Sequence, residues 1–238
     1  MHPTALAKSQ MLSFRGFTAQ RCVTGFLNVR TATVSTMFRT EGGAEIHLKF
    51  PQDIASASGD ALVSSANIFL CGSTNTEYWL HKGRKNAETS ITTAAGEGLL
   101  QELSAFATLN PESNIRAEYG KIYRTEPHNL KAFNFILHAV TPKYVQGFSE
   151  EQKRKLHGQL KACYTESMRI TVEQLGANAK LCLPLLGCGI NDWPIKLSAQ
   201  LLIEALEEQE TSSLCVECSF IEERAYLETK KALTLHFM

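Results

Sequence analysis

The stretch Leu181-Cys-Leu-Pro-Leu-Leu-Gly-Cys-Gly-Ile-Asn-Asp-Trp-Pro194 limits the folds open to this chain more than any other. Its first six residues are apolar on every side, so as a strand they need a cover on both faces. The run then breaks into two glycines one residue apart, followed by Asn191-Asp192 and Pro194, ahead of an amphipathic segment. Glycine admits positive φ, Asn and Asp cap helices, and proline suits a first helical turn. A buried strand, a tight turn and a helix start are therefore expected in that order. Such a turn aims backbone N–H groups and the positive end of a helix dipole at one spot, a place for an anion and most simply a phosphate. The same order of elements occurs in α/β proteins that bind nothing there, so the rest of the chain must decide.

Short apolar or β-rich runs at 31–38, 45–50, 61–66, 133–140, 181–186 and 214–220 read as strands. Helical spacing of apolar residues covers Ile91 to Leu109. A second helix covers 149–175, where Ser149 and Gln152 make a capping box and Gly176 a stop. Segments 195–209 and 222–233 are two further amphipathic helices. There is no internal repeat and no low-complexity linker. Strands alternating with helices predict an α/β fold, a three-layer α/β/α sandwich with a mixed, mostly parallel central sheet. Its 238 residues, 44% of them hydrophobic, suit one domain with additions. In such sheets ligands sit beyond the carboxyl ends of the strands.

Lys plus Arg (24) equals Asp plus Glu (24), so no global field draws the chain to nucleic acid or anionic lipid. Seven cysteines make an odd count, and most lie in apolar segments where free thiols act as small hydrophobes, which favours a reducing, cytosolic setting. Cys215 and Cys218 form a CxxC, but in a strand residues three apart face opposite sides, which argues against a shared metal or redox role. No stretch reaches the roughly 18 apolar residues of a membrane span. Residues 1–40 hold no Asp or Glu and many Arg, Ser and Thr, the composition of a mitochondrial address; the competing reading is a strand, since Thr31 to Phe38 alternates.

Five further segments come in order along the chain. They are Phe50-Pro-Gln-Asp-Ile54, Gly59-Asp-Ala-Leu-Val-Ser-Ser-Ala-Asn67, Ile91-Thr-Thr-Ala-Ala-Gly-Glu-Gly-Leu-Leu100, and Tyr119-Gly-Lys-Ile-Tyr-Arg-Thr125 with Phe135-Ile-Leu-His-Ala-Val-Thr-Pro142. Together with the 181–194 turn, this series resembles the macro domain family over roughly 45–233. The resemblance implies a macro domain at 45–238 behind an N-terminal extension, 1–44, that adds a strand. It implies ADP-ribose as ligand, an ADP-ribosylated protein as partner, a monomer, no cofactor and no metal. Such domains serve as housekeeping proteins and as bacterial effectors delivered into host cells.

The resemblance also implies roles by position. Asp53, with Ile54 beside it, stands where the family's aspartate accepts a hydrogen bond from the adenine amino group; the plainer alternative is a loop cap. Asn67 stands where an asparagine contacts the distal ribose, to which its amide offers both donor and acceptor. Gly187, Cys188, Gly189 and Ile190 match the second diphosphate loop, with Asn191 and Trp193 completing that wall. The first diphosphate loop departs from the family's glycine run and reads Gly83-Arg-Lys-Asn-Ala-Glu-Thr-Ser-Ile91. Arg84, Lys85 and Asn86 there substitute charge and side-chain donors for amides, beside Ala87 and Ser90, unless the segment is only a solvated basic loop.

Glu88 falls where hydrolytic macro domains place the aspartate that activates water. Asn191-Asp192 replaces the family's aromatic-glycine pair, which sets a second carboxylate, Asp192, by the distal ribose or else only a helix cap. The expected activity is hydrolysis of mono-ADP-ribose from a protein side chain, arginine-linked among the candidates, carried by Asn67, Glu88 and Asp192. The alternative is a reader that binds without cleaving. A cysteine hydrolase built on Cys188 with His138 is disfavoured, because His138 lies inside an apolar strand. The insertion at 71–82 places Tyr78 and Trp79 where they could fold over the cleft.

Overall fold

The computed structural model describes residues 12–14, 17–19, 32–72, 86–110, 112–209 and 213–237. A short hairpin, β1 (Leu12–Phe14) with β2 (Phe17–Ala19), forms a sheet of its own. The main sheet has seven strands: β3 (Val34–Arg39), β4 (Glu45–Phe50), β5 (Ala61–Ala66), β6 (Ile122–Thr125), β7 (Phe135–Val140), β8 (Lys180–Pro184) and β9 (Cys215–Ser219). They lie in the order β3-β4-β9-β8-β5-β7-β6. The five inner strands run parallel, and β3 and β6 close the two edges antiparallel.

Five helices appear among the described residues: α1 (Ala87–Ala95), α2 (Glu97–Ser104), α3 (Glu150–Leu175), α4 (Ile195–Glu207) and α5 (Glu223–Phe237). Strand alternation sorts the side chains. Val63, Leu137, Leu183 and Val216 face α3, α4 and α5, where Tyr164, Leu202 and Leu233 are buried. Leu62, Ile136 and Cys182 face the other way, onto Ile91 and Ala95 of α1 and Leu99 and Leu103 of α2. Each fully buried Leu or Ile contributes about 1.5–3 kcal/mol, so the central strands, apolar on both faces, hold the three layers together. β4 and β9 differ: Glu45, His47, Lys49, Cys215 and Glu217 occupy the face that α1 and α2 leave to polar groups.

The architecture is the α/β/α sandwich that the sequence predicts, with corrections inside it. Ile91 to Leu109 is not one helix: α1 starts at Ala87, and Gly96, at φ +84°, ends it by closing its N–H on Thr92 O at 3.0 Å before α2 begins. The capping box at Ser149 forms as expected, with Gln152 N–H donating to Ser149 Oγ at 3.2 Å and Ser149 N–H to Gln152 Oε1 at 2.9 Å. β6 was not expected, because a four-residue edge strand with a mixed Ile-Tyr-Arg-Thr pattern carries little period-2 signal.

Candidate functional site

Loops following β4, β5, β8 and β9 converge with the N-terminus of α1 on one cleft of about 940 Å³ at the carboxyl ends of the parallel strands. That volume lies within the range of small-molecule sites.

At one end, the chain leaving β4 turns through a single 3-10 turn, Ile54–Ser56, capped by Asp53. One carboxylate oxygen of Asp53 accepts from Ala55 N–H at 3.1 Å and the other from the buried Ser90 hydroxyl of α1, also at 3.1 Å. Asp53 is thus both the loop cap and the clamp that seats α1. Beside it, where Gln52 N–H donates to Phe220 O at 2.8 Å, Phe220, Ile221, Glu222 and Ala225 follow β9 and supply a partly apolar wall. Reading the sequence missed this wall. Its signal was position alone, directly beyond the end of a parallel strand.

At the other end, Asn67 leaves β5 and accepts the Phe69 N–H at 2.9 Å, while its amide nitrogen lies 3.5 Å from Glu88 Oε1. Because α1 starts at Ala87, Glu88 sits in a first helical turn and not in a loop, so the backbone fixes the direction in which its side chain leaves the helix. Asn86 caps that turn, its carbonyl accepting Thr89 N–H at 2.8 Å and the Thr89 hydroxyl at 3.0 Å. The Asn86 carbonyl is therefore committed to the helix. Burial raises the Glu88 carboxyl from 4.5 to about 7, so near neutral pH it divides between acid and carboxylate.

Between the two ends runs the loop after β8. Gly187 has φ +77°, and a Cβ there would lie 2.5 Å from Trp193 Cδ1. Only glycine fits. The loop is pinned from below: Leu186 N–H donates to the buried Tyr164 hydroxyl at 2.8 Å, and Ser198 Oγ donates to Leu186 O at 2.7 Å. Ser198 spends its proton on Leu186, so Tyr164 must donate its own to Ser198 across 2.7 Å. Asn191 is held by its amide, which donates to Thr141 Oγ1 at 2.6 Å and Thr141 O at 3.2 Å. The N–H groups of Gly187, Cys188, Gly189, Ile190 and Asn191 make no hydrogen bond to any described residue. All five residues line the cleft. Among the described residues, the charged side chains lining the cleft are all carboxylates: Asp53, Glu88, Asp192 and Glu222. For an anion, the lining therefore offers backbone amides and the α1 N-terminus and no described cationic side chain.

The structure brings most of the expected residues to this cleft: Asp53, Ile54, Asn67, Asn86, Ala87, Glu88, Ser90, Gly187, Cys188, Gly189, Ile190, Asn191 and Asp192. Trp193 is a correction. It is 3% exposed and lies under the loop, donating its indole N–H to Pro142 O at 2.7 Å, so it shapes Gly187 and does not line the cleft. Asp192 does not cap α4, since Pro194 occupies the N-cap. It sits instead at φ +55° with a carboxylate oxygen 3.9 Å from Lys143 Nζ. Arg84, Lys85, Tyr78 and Trp79 lie outside the described residues. Cys188 and His138 do not pair: burial pushes the Cys188 thiol up to about 12, and His138, lowered to about 4, shares a 2.9 Å bond with Thr125. No helix among the described residues is long and apolar enough to cross a membrane.

A three-layer sandwich with a cleft of small-molecule size at its parallel strand ends, lined by the glycine-containing loop after β8, defines an α/β domain with a candidate ligand site. A sequence profile of the macro domain matches residues 72–202, and the chain belongs to the macro domain family. A macro domain-containing protein of Streptomyces coelicolor is 26% identical over 174 residues, covering 73% of this chain and 90% of that one. A second, from Streptomyces nogalater, is 26% identical over the same length, with 73% and 84% covered. Among solved structures, the fold is shared with the Oceanobacillus iheyensis macrodomain with ADP, at TM-score 0.70 and 20% identity, covering 87% of this chain and 98% of that one.

Proposed function

We propose that the chain binds ADP-ribose in this cleft and hydrolyses the bond joining mono-ADP-ribose to a protein side chain. Membership of the macro domain family supports the ligand, as does a fold shared with macrodomains solved with ADP and with ADPR. In this reading Asp53 and the Phe220–Ile221 wall take the adenine, and the N–H row at 187–191 takes the diphosphate. Asn67 and Glu88 then meet the distal ribose.

The observation that carries the hydrolase reading is the Glu88 carboxyl, fixed in a first helical turn, raised to about 7 by burial, and beside Asn67. A group with that affinity for protons accepts one from an attacking water while the glycosidic bond to the side chain breaks. The Asn67 amide orients a ribose hydroxyl. Asp192 adds negative charge near the same sugar, which favours a developing oxocarbenium, and an arginine-type leaving group takes its proton from solvent. A binder that does not cleave is the second reading. It is favoured by Asp192 standing beside Lys143 and by Asn67 spending its carbonyl on Phe69.

The test is incubation with targets ADP-ribosylated separately on arginine, on glutamate or aspartate, and on serine, with release of ADP-ribose followed beside Glu88→Gln. Release from one linkage that vanishes in the variant supports the hydrolase and names its bond. Binding of ADP-ribose with no release from any target makes the chain a reader.

A further inference from the structure

The polar face of β4 and β9 holds a second constellation. Glu45 and Cys215 are direct partners across the parallel pair, and His47, two residues on, shares the same face. A carboxylate oxygen of Glu45, a ring nitrogen of His47 and the Cys215 sulfur all lie within 4.8 Å of one another. His47 Nε2 already stands 3.1 Å from Glu45 Oε2. Ligand atoms bound tetrahedrally to zinc at its usual bond lengths stand about 3.3–3.6 Å apart, so the three donor atoms already lie close to the spacing an ion requires. The other oxygen of Glu45 is held by Arg39, which leaves Oε2 directed at the imidazole and fixes it as an outer-shell donor would. All three side chains are half-buried, so an ion here is partly shielded while solvent keeps access to a fourth position.

We infer that Glu45, His47 and Cys215 form a zinc site with one position open to water. Imidazole nitrogen, thiolate sulfur and carboxylate oxygen are the donor types this borderline-soft ion takes, whereas calcium and magnesium would want oxygens alone. Binding requires the Cys215 proton to leave, and it is released to solvent as the S–Zn bond forms. The site is remote from the cleft: it sits at the amino end of β4, and Phe50 at the carboxyl end is about 16 Å further along at about 3.3 Å per residue. The ion thus joins two strands and takes no part in ADP-ribose chemistry. The inference stands apart from the proposed function.

The test titrates the full chain with Co2+ as a spectroscopic probe and then displaces it with Zn2+. The expected result is one equivalent bound with a thiolate-to-cobalt charge-transfer band, lost in Cys215→Ser and at least about tenfold weaker in His47→Gln. Zinc is also expected to raise the melting temperature of the wild-type chain, to raise that of His47→Gln less at the same zinc concentration, and to leave that of Cys215→Ser unchanged. No uptake of Co2+ by the folded wild type overturns the site. An unchanged band in a folded Cys215→Ser chain overturns it too, by assigning the thiolate elsewhere. Circular dichroism of each metal-free variant establishes folding, and Glu45→Gln, expected to weaken binding at least about tenfold, replaces any variant that does not fold.

Discussion

Gly187 and Trp193 pack so closely that a single added methyl cannot fit between them: a Cβ on Gly187 would stand 2.5 Å from the indole Cδ1. Gly187→Ala adds that clash to the cost of a left-handed backbone, and should destabilise the fold by about 1–3 kcal/mol while disordering the row of N–H donors. Gly189 has no heavy atom within 4 Å of its would-be Cβ, so Gly189→Ala should melt like wild type. Thermal unfolding and ADP-ribose titration of the two variants check this, and equal behaviour would contradict the packing.

Glu88 makes a prediction with a sign. Its folded value of about 7 lies above the ordinary 4.5, so between those values the folded chain holds a proton that the unfolded chain has released. Stability therefore falls as pH rises through that window and stays lower above it. Glu88→Gln removes the penalty, and should melt higher than wild type at pH 8 by an amount equivalent to at most about 3 kcal/mol, with no difference at pH 4. Hydrolysis by the wild type should rise with an inflection near 7 and be absent in the variant.

Asp53 bears on two elements at once, the 3-10 turn and α1. Asp53→Ala should lower ADP-ribose affinity by about ten- to a hundredfold, the worth of a charge-assisted hydrogen bond. Ser90→Ala loses only the clamp and should cost less. Calorimetric titration ranks the two, and the reverse order would remove Asp53 from the ligand contacts.

Tyr164→Phe leaves the Leu186 N–H without its acceptor in a fully buried place. A loss of about 1–3 kcal/mol in chemical denaturation is expected. ADP-ribose affinity should fall with it, because the same hydroxyl holds the base of the donor loop.

Much of this was legible along the chain. The Leu181–Leu186 run had to be buried on both faces, Ser149 and Gln152 formed the box their spacing implies, and Glu45 to Phe50 alternated as a strand with one apolar face. The site residues were legible only as positions in an ordered series. The start of α1 was misplaced, because the polar Asn86-Ala-Glu-Thr-Ser90 turn shows no apolar periodicity, although the Asn86 cap closes it. Trp193 looked like a cleft aromatic, since nothing in Asn-Asp-Trp-Pro tells which side of a loop an indole takes.

Local chemistry and period fixed most of the elements, their layer and the end of the sheet at which a ligand can bind, because those follow from backbone sterics and from the need to cover apolar faces. What only the tertiary structure decided was partnership. Tyr164 under Leu186, Ser90 on Asp53, Asn67 beside Glu88, and Glu45 with His47 and Cys215 join residues up to 170 positions apart. No local preference encodes such pairs, for they arise when parallel strands and the helices on them bring distant segments to one end of a sheet. The raised Glu88 carboxyl is of the same kind: the residue supplies the acid, and the desolvation that tunes it comes from its neighbours in space.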